Sequence, residues 1–194
     1  MKRAFDVLFS ILLILLFMPI CFFVALVVWI DLKESPIFSQ HRIGKGENQF
    51  RLMKFKTMRS VNHADGLVSN SDRITKLGSI LRKSSLDELP SLFNILLEDM
   101  SFVGPRPLLI DYLPYYKKLH RIRHSVRPGL TGLAQVNGRN CTTWDKRLNL
   151  DVEYVNNISF WMDIEILVGT VFVVLSQKGI EGKDDLSIVR LDRD

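Results

Sequence analysis

Between Val7 and Ile30 the chain carries no charged residue. At about 1.5 Å of rise per residue, a helix of that length can cross the roughly 30 Å hydrocarbon core of a bilayer. A secretory signal peptide has a shorter apolar region ending in a small-residue cleavage site, which is missing here, so the pattern predicts a membrane helix over residues 1–31. Pro19 stands in its middle, where the absent N–H and the clash of the ring with the preceding turn predict a kink. Lys2 and Arg3 precede the run and Lys33 follows it, so the lysine and arginine bias that orients a span is weak. A Pro-kinked single span and a helix that bends back to the same face both satisfy this pattern, the span being the commoner object.

Beyond the membrane helix the period changes. Residues 35–40 and 50–55 read as short extended runs around the turn sequence Gly44-Lys45-Gly46-Glu47-Asn48, which predicts a small hairpin. Residues 60–71 are polar and predict an exposed loop. Helical patterns follow over residues 74–83, 90–97 and 108–123. The uninterrupted apolar run from Ile166 to Leu175, preceded by Trp161, is too short to span and predicts a buried or interfacial helix. The polar stretch 181–194 reads as a loosely ordered tail. The expected fold is therefore mainly α with a small β element: an N-terminal helix over 1–31, a catalytic domain over 32–180 and the tail.

Apolar residues make up 47% of the 194 residues and charged residues 24%, values ordinary for a soluble domain, so it is their placement that points to a membrane. The net charge of +5 suits anionic headgroups or phosphates and would also suit nucleic acid. Two cysteines without metal-ligand spacing, Cys21 and Cys141, suggest neither a disulfide framework nor a zinc site and fit a reducing compartment. No P-loop, HExxH, GxSxG or complete GxGxxG pattern is present, which disfavours P-loop ATP use, zinc hydrolysis and hydride transfer. His120 and His124 sit in a basic run that reads as a solvated face.

Ser85-Leu86-Asp87-Glu88-Leu89-Pro90 reads first as a capping box, since Ser-x-x-Glu satisfies two unpaired donors at a helix start. Chemistry is the second reading. An Asp carboxylate close to Arg82 and Lys83 can stay ionised and attack phosphorus, and an adjacent Glu can share a magnesium ion with a diphosphate. In Gly104-Pro105-Arg106-Pro107, two prolines restrict the backbone around a guanidinium suited to phosphate; a structural turn with a solvated arginine fits equally. Arg127-Pro128-Gly129-Leu130-Thr131-Gly132 and Asn137-Gly138-Arg139 carry turn signals, the second that of a tight hairpin. With Lys54, Lys56, Arg82 and Arg106 they supply cations that could converge on a multiply charged substrate.

Taken in order, Lys2-Arg3-Ala4-Phe5-Asp6, Lys54-Phe55-Lys56-Thr57-Met58, Asp87-Glu88-Leu89-Pro90, residues 99–107, residues 127–132 and Asn137-Gly138-Arg139 resemble the bacterial sugar transferase family over nearly the whole chain. The likeness is to its small monotopic phosphoglycosyl transferases, without the extra membrane helices of larger members. It implies transfer of a sugar-1-phosphate from a UDP-sugar to polyprenol (undecaprenyl) phosphate with release of UMP, as the first membrane step of bacterial glycoconjugate synthesis. By this likeness Asp87 would be the nucleophile that carries a phospho-sugar intermediate. Glu88 would help hold Mg2+, Arg82 would face the lipid phosphate, and Lys54, Arg106, Arg139 and Asp151 would shape the nucleotide-sugar site. It also implies a re-entrant helix kinked at Pro19 and a catalytic domain on the cytoplasmic face of the inner membrane, among membrane lipids. A homo-oligomer or downstream glycosyltransferases are further partners compatible with it. Relatives commonly carry Ser-Pro at the kink, whereas this chain has Met18-Pro19.

Two other readings stand beside this one. The same substrates could react directly in a magnesium-assisted complex with Asp87 as base. Alternatively, the chain could be a non-catalytic, membrane-anchored scaffold that binds anionic lipid, with Asp87-Glu88 only capping a helix. Nucleic acid is disfavoured as a partner, because the apolar N-terminus and proline-framed Arg106 form no recognised binding module.

Overall fold

The computed structural model describes residues 2–63, 67–138 and 143–176. Arg139, Cys141 and the tail over 181–194 lie outside the described residues, as does the expected boundary at 180. Helix α1 (Lys2–Leu32) is continuous through Pro19. It precedes a hairpin of β1 (Ile37–Ile43) and β2 (Gln49–Phe55), antiparallel with Ile37 opposite Phe55 and Ile43 opposite Gln49. Then come α2 (Asn70–Arg73), α3 (Lys76–Lys83), α4 (Ser91–Leu96), β3 (Ser101–Val103), β4 (Gly129–Thr131), α5 (Leu133–Gly138), α6 (Trp144–Asn156) and α7 (Phe160–Ser176). The mainly helical body with a small β element matches the expectation.

Both halves of α1 rest on the same body. At its start Arg3 donates to the carbonyls of Ile95 and Leu96 at 2.8 and 3.1 Å, where a cation suits the exposed carbonyls of a helix end. Lys2 pairs with Asp163 and donates to the Tyr154 hydroxyl at 3.2 Å. The buried Asp6 accepts the Phe102 amide at 3.2 Å, and Phe9 packs on Phe102 at 5.2 Å between centroids. Nearer the other end, Val24 and Val28 are buried with Phe55 and Leu81. Between these anchors Leu15, Leu16, Met18, Phe22 and Phe23 stand exposed. Helix α7 repeats the pattern: Ile166 is buried, while Trp161, Val171, Phe172 and Leu175 face outward. The run expected to form a buried or interfacial helix is thus helical with one side packed and the other exposed, and such a concentration of exposed apolar side chains marks an interaction surface.

Several sequence expectations are corrected. Residues 108–123 do not form one α-helix. They form two 3₁₀ segments, Ile110–Tyr115 and Lys118–Ser125, because Pro114 inside the first cannot donate to a regular α ladder. The basic run is not a solvated face, since His120, Arg123 and His124 are all buried. Burial and the cations Arg123 and Arg121 push His124 down to about 4, so it is neutral at physiological pH. Arg127-Pro128-Gly129-Leu130-Thr131-Gly132 is more than a turn: it contains β4, which pairs in parallel with β3, Ser101 opposite Gly129 and Val103 opposite Thr131. A Cβ on Gly129 would lie 2.1 Å from the Gly104 nitrogen, so only glycine permits this approach. Asn137-Gly138 closes α5 and forms no hairpin; the Asn137 side chain donates to the Leu133 carbonyl at 3.0 Å. The loop over 60–71 is exposed where described, except for the half-buried Leu67, and is tied by bridges between Met58 and Ile74 and between Asn62 and Leu67.

Candidate active site

The capping box does not form. Ser85 sits in the left-handed region at φ 57° and ψ 16°, and its side chain makes no cap bond, whereas an N-cap residue needs extended backbone to turn its oxygen onto the helix amides. Residues Leu86–Glu88 instead make a 3₁₀ turn between α3 and α4. A left-handed non-glycine residue costs about 1 kcal/mol or more and is found preferentially at functional sites. The turn brings Asp87 and Glu88 to the wall of a cavity of about 1080 Å³, shared with Lys54, Arg82, Arg106 and Asp151.

Each cation comes from a different element. Lys54, on β2, pairs with Glu88. Arg106 follows the glycine-dependent β3–β4 contact and brings its Nη2 to 3.6 Å from the same Glu88 oxygen. Arg82, in the last turn of α3, donates through Nε to Thr57 Oγ1 at 2.9 Å. The Asp87 carboxylate makes no hydrogen bond or ion pair among the described residues. Burial, and then the neighbouring charge of Glu88, push it up to about 6, against the opposing pull of Lys54, Arg82 and Arg106. Such a carboxylate is more basic than an exposed one yet mostly ionised at neutral pH, which suits either a nucleophile or a base. The same cavity is also lined by Phe9, Phe17, Leu167 and Val174 of α1 and α7. Cationic and carboxylate side chains thus share one cavity with apolar side chains of the two long helices.

Asp151 lines this cavity but is committed to a partner that sequence reading missed. It accepts from Arg123 Nε at 3.0 Å and Nη2 at 2.8 Å, with both side chains buried. Arg123 also donates to the Tyr116 hydroxyl at 3.2 Å and the Arg106 carbonyl at 2.7 Å. The pair therefore holds the backbone of the Arg106 loop from behind. No local signal in the sequence marks Arg123, because the Asp that neutralises it stands 28 positions away. The structure brings Asp87, Glu88, Lys54, Arg82, Arg106 and Asp151 to one cavity, and Arg139 is not among the described residues.

Residues 1–177 match the model of the bacterial sugar transferase family. The chain is 44% identical to EpsL of Bacillus subtilis, named an uncharacterized sugar transferase, across 98% of this chain and 95% of the relative. It is 38% identical to the UDP-glucose:undecaprenyl-phosphate glucose-1-phosphate transferase of Escherichia coli, across 89% of this chain and 39% of the relative. It is also 35% identical to the UDP-N-acetylgalactosamine-undecaprenyl-phosphate N-acetylgalactosaminephosphotransferase of Aeromonas hydrophila, across 92% of this chain and 44% of the relative. The chain thus spans nearly all of EpsL and about two fifths of the length of the other two. With the match covering most of its length, the chain belongs to the bacterial sugar transferase family.

Proposed function

We propose that this chain transfers a sugar-1-phosphate from a UDP-sugar to polyprenol phosphate and releases UMP, with the phospho-sugar carried on Asp87 between the two half-reactions. The observation that carries the reading is the Asp87 carboxylate, without a hydrogen bond or ion pair among the described residues, in one cavity with Lys54, Arg82, Arg106 and apolar side chains of α1 and α7. An Asp87 oxygen attacks the β-phosphorus. The bond from that phosphorus to the bridging oxygen breaks, and UMP departs with the electron pair. A polyprenol-phosphate oxygen then attacks the same phosphorus, the acyl-phosphate bond breaks, and the Asp87 carboxylate is regenerated. One pyrophosphate linkage replaces another, so the work lies in lowering barriers, which a covalent step and fixed cations accomplish. Lys54 and Arg106 orient Glu88 and meet the diphosphate, and Arg82 faces the lipid phosphate. The relatives named for glucose and for N-acetylgalactosamine leave the sugar to contacts outside this shared machinery.

Magnesium fits the donor chemistry. It is commonly held by one or two carboxylates together with substrate phosphate. The cavity offers the pair Asp87 and Glu88, and no group of three or more potential metal-ligating side chains occurs among the described residues. Glu88 would hold the ion beside Asp87, where their mutual repulsion favours a cation; when bound, the ion would neutralise diphosphate charge.

The apolar faces of α1 and α7 would lie in the cytoplasmic leaflet of the inner membrane. That both halves of α1 rest on one body supports a helix that enters and leaves by the same face. An N-terminal tag and a thiol at position 33 (Lys33→Cys) should both be labelled from the cytoplasmic side alone; protection of one would indicate a span.

The covalent scheme is tested without lipid. Purified enzyme given a panel of UDP-sugars should release about one equivalent of UMP from its own substrate and gain the mass of a phospho-sugar on Asp87. The value near 6 also suits Asp87 as a base in direct transfer, and that route releases no UMP until lipid is added. The scaffold reading releases none at all, and the missing capping box removes the structural role it gave Asp87-Glu88.

A further inference from the structure

Arg42 lines the same cavity, and neither the motif reading nor the proposed chemistry uses it. It stands on β1 two residues after Gln40, so the two side chains share one strand face, and the Gln40 Oε1 accepts from Arg42 Nη2 at 2.7 Å. That bond orients the guanidinium without neutralising it. Its Nε is buried with no hydrogen-bond partner, and no carboxylate pairs with Arg42 among the described residues. Its neighbouring charge is Arg106: burial and this second guanidinium push Arg42 down to about 10. Two guanidiniums held together in a partly desolvated cavity repel each other unless an anion lies between them.

The order of the charges says which anion. In the β1–β2 hairpin Phe38 stands opposite Lys54 and Arg42 opposite Phe50, so Arg42 sits about 13 Å along the same cavity-lining face from the Lys54 that pairs with Glu88, and the charge beside it is Arg106, which reaches the same Glu88. Arg42 therefore lies beyond Arg106 from the reacting carboxylate. A diphosphate with its β-phosphorus at Asp87 would pass Arg106 and place its other phosphate at Arg42. Resting on the reading above, we propose that Arg42, oriented by Gln40 and acting with Arg106, binds the α-phosphate of the nucleoside diphosphate-sugar. Arg42 then receives the charge that collects on UMP as the bond to the β-phosphorus breaks. It serves the first half-reaction and not the second, in which UMP has already left.

The test compares full-length wild type, Arg42→Gln and Arg42→Lys in lipid nanodiscs by calorimetric titration with UMP and with uridine, alongside thermal melting and lipid-free UMP release. Arg42→Gln should weaken UMP binding roughly 10- to 100-fold, as expected for loss of a charge-assisted phosphate contact. It should leave uridine binding and the melting temperature near wild type and slow UMP release, with the KM for polyprenol phosphate unchanged. Arg42→Lys, which keeps the charge, should recover part of the UMP affinity. UMP binding equal to wild type in Arg42→Gln would overturn the subsite. So would a parallel fall in UMP binding, uridine binding and melting temperature with no recovery in Arg42→Lys, because that pattern marks a packing role. A wild type that releases no UMP from any UDP-sugar defeats the proposed reaction; selective loss of UMP over uridine in the variant would still uphold the subsite.

Discussion

Asp87→Asn is expected to lower transfer by roughly three orders of magnitude or more, since the amide has no carboxylate oxygen to attack phosphorus or to act as base. It should do so without unfolding the chain. Asp87 rises from 3.8 to about 6 in the folded state, so the folded state holds this proton more tightly than the unfolded one. The sign follows from linkage. Its ionisation does not oppose folding below pH 4, opposes it increasingly between pH 4 and 6, and opposes it fully above that, by an amount on the order of 2–3 kcal/mol. A neutral amide of the same shape escapes that cost. At pH 7 Asp87→Asn should melt a few degrees higher than wild type, and the gap should close as the pH is lowered toward 4. In the wild type, the lipid-free release of UMP should rise with pH through about 6, as the carboxylate ionises. Transfer at the wild-type rate in the variant would remove Asp87 from the chemistry, and a lower melting temperature would contradict its desolvated setting.

Asp151→Asn should have the opposite signature. It leaves Arg123 charged, buried and without its carboxylate, and breaking one side of a buried ion pair costs about 3–5 kcal/mol. For a domain of this size that corresponds to a fall in melting temperature of roughly 10 °C. Because Arg123 also holds the Arg106 carbonyl, affinity for UMP should decline as well. Replacing the pair together, Arg123→Met with Asp151→Leu, should recover much of the stability, since paired apolar replacements of buried ions are often neutral or better, while leaving the Arg106 loop unsupported and activity low. An Asp151→Asn protein that melts like wild type but loses nucleotide affinity would instead put Asp151 in contact with substrate.

The contrast between these two carboxylates traces what could be read early. Asp87 and Glu88 stood out because they follow Arg82 and Lys83 closely and fall within the ordered motifs that resemble the family, although the local logic that made Ser85-x-x-Glu88 a capping box proved wrong once Ser85 took a left-handed backbone. Asp151 entered as a shaper of the nucleotide-sugar site, and the structure commits it to Arg123. His120 and His124 looked solvated because the run around them is basic, yet the 3₁₀ segments carry them inward. Arg42 left a fainter trace, since the Gln40/Arg42 alternation is an ordinary strand pattern until the cavity behind it is known.

Features set by neighbours in the chain were legible from order alone. The long apolar run around Pro19 appears as α1, the Gly-rich turn between two extended runs as the β1–β2 hairpin, and the apolar run after Trp161 as α7 with its exposed apolar face. Each depends on periodicity or turn chemistry acting over a few residues. What only the tertiary structure decided depends on distance through space. Lys54 meets Glu88 across 34 positions and Arg123 meets Asp151 across 28; Gly129 must be glycine because the Gly104 backbone lies against it; and Asp87 is raised because that assembly removes it from water. Desolvation and charge pairing are properties of the folded cavity, so no window along the chain could have contained them.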